Sequence, residues 1–97
     1  MNQMGWRYFL DLCLAAGDEQ RLSELFDLLL KHEEKSGMET RCLIVKALLE
    51  QEKPQRQISD ELHVSIAKIT RGSNELKRIS PQLKQYLQQR LGVQRSS

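Results

Sequence analysis

Ninety-seven residues are the size of one domain, which excludes an enzyme with separate cofactor and substrate lobes. Fifteen Lys and Arg against thirteen Asp and Glu leave a formal charge of +2, too small to single out nucleic acid, membrane or an acidic substrate. At 39% hydrophobic and 29% charged, with five Gly and two Pro, the chain is neither disordered nor collagen-like.

Apolar residues recur at helical spacing throughout, and no alternating β-branched run reads as a strand, so an all-helical chain is expected. A first helix holds Trp6, Phe9, Leu10, Leu12, Cys13 and Leu14, with Trp6 as a core anchor, and ends at Gly17-Asp18. A second holds Leu22, Leu25, Phe26, Leu28, Leu29 and Leu30. Both are apolar around most of their circumference, more than a small monomer can cover, which points to a partner subunit. A third helix is expected from about His32 to Gln51, with Met38, Cys42, Val45, Leu48 and Leu49 on its apolar stripe and Gly37 as a weak spot. Lys53-Pro54 then breaks the chain. The last helix ends at Gln88, Gln89 and Arg90, and Val93 to Ser97 are expected to fray.

Cys13 and Cys42 form no CxxC pair and have no His at ligand spacing, so buried inert thiols are expected rather than a disulfide scaffold or a metal site. The opening MNQMGWRYFLDLCLAAGDEQ has Asp11 inside its apolar run, unlike a signal peptide, and no run of eighteen apolar residues follows; a cytoplasmic, membrane-free protein is expected. His32 and His63 lack metal-ligand partners, and no nucleophile–base or paired-carboxylate set emerges, so neither catalysis nor a cofactor is expected.

The charge is polarised. Residues 1 to 50 carry six bases and nine acids, a balance of −3, whereas residues 51 to 97 carry nine bases and four acids, a balance of +5. On charge alone, a polyanion-facing end and an ordinary solvated surface are equally good readings. The segment QRQISDELHVSIAKITRGSNEL narrows the choice. Counted from Gln55, Ile58, Leu62, Val64 and Ile69 stand at the fourth, eighth, tenth and fifteenth places with small Ser59 at the fifth, which is the helix-turn-helix frame around the turn His63-Val64-Ser65. His63 replaces the glycine that usually takes the left-handed turn, a conformation His tolerates better than most residues. Gly72 replaces an apolar residue, and Ile66 and Leu76 are expected to supply the missing contacts. Outward on the second helix stand Lys68, Thr70, Arg71, Ser73, Asn74 and Lys77, with Ser65 as N-cap. Such a helix suits a major groove, with Ile66 and Ala67 at base edges and its Arg and Lys at phosphates; Gln55 and Arg56 open the preceding helix and suit the backbone, and Arg56 is also long enough to reach a guanine edge.

The run IAKITRGSNELK closely resembles the signature I-A-x-I-T-R-G-S-N-x-L-K of the tryptophan operon repressor family, and TRCLIVKALLE and SPQLKQYLQQRL extend the resemblance over roughly residues 20 to 92. The resemblance implies a six-helix, intertwined homodimer: one domain over 1–97, dimerisation helices over 1–51, a reading head over 55–78 and a C-terminal dimerisation helix over 81–92. It implies a transcription repressor that takes free L-tryptophan as corepressor and binds a palindromic DNA operator. The indole would lie between Arg41 and Arg71, by stacking and cation–π contact. Leu28, Leu30 and Lys31 of the partner's second helix, with Gly72, would close the pocket. Some relatives carry threonine at the place of Lys31, a small residue at that of Glu75 and lysine at that of Ser59. Lys31 and Glu75 either complement the zwitterion's carboxylate and ammonium or bridge each other and occlude the pocket. Two other functional readings stay open: a DNA-binding regulator with another effector or none, and a helical interaction protein whose apolar half mediates assembly.

Overall fold

A computed structural model describes residues 3 to 93. It is all-helical, with six helices and no strand among the described residues: α1 (Met4–Ala15), α2 (Glu19–Leu29), α3 (His32–Glu50), α4 (Gln55–Leu62), α5 (Ile66–Leu76) and α6 (Pro81–Arg90). The chain divides into two compact units, one up to Ser36 and the other from Gly37 onward.

In the first unit, α1 gives way to Gly17 at φ +81, a left-handed conformation that favours glycine. Asp18 follows as N-cap of α2, its carboxylate accepting from the Arg21 N–H at 2.8 Å. Phe9 stands between the rings of Trp6, at 5.2 Å, and Phe26, at 6.2 Å. Trp6 is nevertheless 64% exposed, so the expected core anchor is not buried within one chain. The reason is the one its neighbours share: two helices cannot cover apolar surface on all sides, and Leu14 and Leu28 stand 86% and 80% exposed. Ala16 alone among the described residues up to Ser36 is buried.

The second unit has a defined core. Ile44 of α3, Ile58 of α4 and Ile69 of α5 are buried against one another, with Ala47, Leu48, Leu62 and Val64 packed around them. Each fully buried isoleucine side chain contributes about 2 kcal/mol through area removed from water. All four apolar places of the frame thus hold as the spacing requires, with Ile58 and Ile69 at the centre, Leu62 packed beside them and Val64 tucked in from the turn. The α3 stripe holds in part. Leu48 packs on the core and Leu49 is buried as expected, but Ile44 and Ala47 also face the core while Met38 and Cys42 are exposed; Cys13 is half-buried, so the expected buried thiols are not found in the single chain. α3 ends one residue earlier than expected, because Gln51 turns left-handed at φ +53. At the far end, Gly92 at φ +72 lets the Val93 N–H reach the Gln88 carbonyl at 2.9 Å. Val93 is buried rather than frayed, its apolar side chain packed where that turn places it; residues 94 to 97 lie outside the described residues.

Candidate nucleic-acid interface and ligand-holding residues

The bihelical unit is built by local chemistry at each joint. Pro54, extended at φ −68 and ψ 158, ends the preceding loop and starts α4, whose first turn has no side-chain cap. His63 closes α4 in the left-handed region, at φ 57 and ψ 43, as the ninth place of the frame requires. Ser59 then stitches the turn: its carbonyl accepts the Val64 N–H at 3.1 Å and its hydroxyl donates to the Val64 carbonyl. This is a role that the spacing argument, which assigned Ser59 only smallness, does not contain. Ser65 caps α5, its hydroxyl accepting from the Lys68 N–H at 3.3 Å.

Gly72 is the second departure from the frame, and its partners are not the expected ones. A Cβ at Gly72 would lie 3.1 Å from Ile44 Cγ2 and 3.4 Å from Leu48 Cδ1, so α3 packs directly on the bare backbone of α5. Ile66 is exposed and Leu76 half-buried. The missing apolar side chain is therefore replaced by two from α3, and Ile66 is left on the outer face.

That face carries Ile66, Ala67, Lys68, Thr70, Arg71, Asn74, Glu75 and Lys77, all exposed; Ser73, expected outward, is half-buried on the flank. Arg56 is exposed and Gln55 half-buried at the start of α4. Gln55 and Thr70 are brought together: the Thr70 hydroxyl donates to Gln55 Oε1 at 3.1 Å. Glu75, the acid on this face, pairs loosely with Arg78 at 3.9 Å. Behind the face, Lys53 Nζ meets Glu61 Oε1 at 2.6 Å, and Gln57 Nε2 donates to Glu61 Oε2 at 2.9 Å. The hydrogen bond and the opposite charge raise the Lys53 pKa and, with Gln57, lower that of Glu61.

Of the other singled-out residues, Arg41 is exposed on α3 with its guanidinium 4.0 Å from Met38 Sδ. In the first unit Leu28 is exposed, Leu30 half-buried, and the Lys31 N–H donates to Glu34 Oε1 at 2.8 Å, opening α3. No helix among the described residues is long and apolar enough to cross a membrane.

A two-helix unit with this spacing, this turn and a basic outer face occurs in many regulators, so the decision falls to the length of the match. A family model described as "Trp repressor protein" matches residues 4–91. The chain belongs to the Trp repressor family. It is 45% identical over 90 residues to a "Trp operon repressor homolog" of Chlamydia trachomatis serovar D, covering 93% of this chain and 96% of that protein. A Chlamydia caviae protein of the same description is 44% identical over 86 residues, covering 89% and 85% of the two chains. One from Haemophilus influenzae strain PittEE is 37% identical over 92 residues, covering 95% and 91%. The Trp repressor match begins in α1, well before the part of the chain in which the resemblance is legible by eye. Members of the Trp repressor family are DNA-binding transcription regulators rather than enzymes, which agrees with the bihelical unit described above.

Proposed function

We propose that this chain is a tryptophan-dependent repressor that binds a palindromic operator as a homodimer in the cytoplasm. The observation that carries the reading is the outer face of α5, where DNA-facing and ligand-facing residues share eleven residues of one helix. Toward DNA, Ser65, Ile66, Ala67, Lys68, Thr70, Asn74 and Lys77 approach the major groove. Gln55 and Arg56 meet phosphates at the uncapped start of α4, where free N–H groups and the helix dipole favour an anion. Toward the effector, Arg71 and Arg41 supply planar guanidinium groups for the two faces of an indole. Gly72, against which Ile44 and Leu48 of α3 already pack, lends the effector its backbone only, and Leu28, Leu30 and Lys31 come from a second copy of the chain.

Lys31 and Glu75 make the site complementary to a zwitterion, the ammonium to the carboxylate of L-tryptophan and the carboxylate to its ammonium. Polar groups so placed reject analogues lacking either charge. The single reading head has one recognition helix; a palindrome read at half-sites roughly 34 Å apart needs two. The exposed apolar surface of α1 and α2 supports that second copy.

Mobility shift of a randomised duplex pool tests the reading, with and without L-tryptophan. A shift that appears only with L-tryptophan and weakens steeply with salt, by a log–log slope of about −0.9 per phosphate neutralised, is expected. Binding indifferent to L-tryptophan would remove the effector, and a flat response to salt would favour an interaction protein. Arg56→Ala weakens duplex binding and spares L-tryptophan, while Arg41→Ala weakens L-tryptophan binding measured without DNA; the reverse assignment would refute the division of roles. Glu75→Ala weakens L-tryptophan binding, and tighter binding by this variant would mean that Glu75 instead occludes the pocket.

A further inference from the structure

We propose that Thr70 is a positioning residue for DNA binding: it holds the Gln55 side chain so that its amide NH2 points outward as a donor to a backbone phosphate. The proposal rests on the reading that the α4–α5 face binds duplex DNA. Gln55 is the first residue of α4 and Thr70 lies in the second turn of α5, fifteen residues later, and a hydrogen bond of 3.1 Å joins Thr70 Oγ1 to Gln55 Oε1. The bond ties two residues of the candidate DNA face to each other across the two helices. It therefore acts where the helices meet DNA and not in the core of Ile44, Ile58 and Ile69.

The chemistry of the amide decides what this bond does. A glutamine amide has one oxygen, which only accepts, and one nitrogen, which only donates. With the oxygen turned to the Thr70 hydroxyl, the two N–H groups are left for an outside acceptor. In the opposite orientation the nitrogen would donate to Thr70 and the oxygen would face phosphate oxygens, two acceptors with no proton between them. An anionic partner thus selects the orientation in which Thr70 donates. A free glutamine side chain also loses about 2 kcal/mol of rotamer entropy on being ordered. Thr70 places that ordering before DNA arrives, so less is lost on binding. The Pro54 backbone fixes the root of the Gln55 side chain at the start of α4, and Thr70 fixes its end.

A double-mutant cycle separates positioning from direct contact. Fluorescence anisotropy is read on a labelled duplex enriched from a randomised pool by the wild-type chain with L-tryptophan. Thr70→Val, nearly isosteric but without the hydroxyl, raises the Kd about fivefold, and Gln55→Ala raises it by a similar factor. The double variant is no weaker than Gln55→Ala alone, because Thr70 acts through Gln55. Thr70→Ser keeps the donor and restores binding to within about twofold of wild type. All four variants keep the wild-type salt slope, since neither residue carries a charge, and all keep the wild-type affinity for L-tryptophan. Additive losses in the double variant, or wild-type binding by Thr70→Val, would overturn the positioning role while leaving DNA binding intact. If the wild-type chain enriches no duplex, the functional reading itself falls and the positioning role with it.

Discussion

His63 holds the bend on which the whole reading head turns, at φ 57 and ψ 43, where an L residue with a Cβ is disfavoured by about 1 kcal/mol or more. It is legible in the sequence as the ninth place of the frame, because the left-handed turn is a demand of the backbone and any residue standing there must meet it. Glycine meets it without strain, whereas a β-branched residue does not. His63→Gly is therefore expected to leave stability unchanged or slightly raised, and His63→Val to lower it by about 1–2 kcal/mol, as read from urea unfolding midpoints. Gly72 is the opposite case. Its frame position announces a missing side chain but not the partner that replaces it. Ile44 and Leu48 lie more than twenty residues away, and periodicity within α5 carries no information about what crosses it.

Between residue and fold, the link from α3 to α4 is secured by charge. Lys53 in the link reaches Glu61 in the last turn of α4, and Gln57 braces the same carboxylate from the turn before. Glu61 is lowered from its ordinary 4.5, so the tie is whole above that value and is lost as pH falls through the lowered one. Lys53 is raised from its ordinary 10.5, so the tie is whole below that value and is lost as pH rises through the raised one. The carboxylate resonance of Glu61, followed by NMR against pH, should show its inflection below 4.5 and return toward that value in Lys53→Met. An inflection at the ordinary value in the wild-type chain would mean that the tie does not form in solution. This network is invisible to hydrophobic spacing: its members stand eight and four residues apart on polar positions, and only the bend at Pro54 brings Lys53 back over α4. The elements themselves were more legible. α3 to α6 begin where expected: Pro54 and Ser65 mark the starts of α4 and α5 and His63 the end of α4, while the start of α6 is the one the resemblance implies.

At the scale of the molecule, the sign of the charge changes along the chain. The first fifty residues are net acidic, and the part of them up to Ser36 leaves Trp6, Tyr8, Leu14 and Leu28 exposed; the remainder of the chain is net basic and contains the reading head. Core placement holds for the bihelical unit and fails at Trp6 and Cys42, which have the apolar character of interior residues but which a single chain offers nothing to cover. Sedimentation equilibrium of the wild-type chain is accordingly expected to give a dimer, and Trp6→Lys to shift it toward monomer; a monomer that keeps Trp6 in water would contradict the second copy that the proposed effector site requires.

The central claim is that one helix, α5, binds duplex on one flank and L-tryptophan on the other, so the two ligands must influence each other equally. Calorimetric titration of L-tryptophan into the wild-type chain, free and saturated with its enriched duplex, tests this most directly. The account predicts tighter L-tryptophan binding on the duplex, by the same factor by which L-tryptophan tightens the duplex. An L-tryptophan affinity that the duplex leaves unchanged would contradict it.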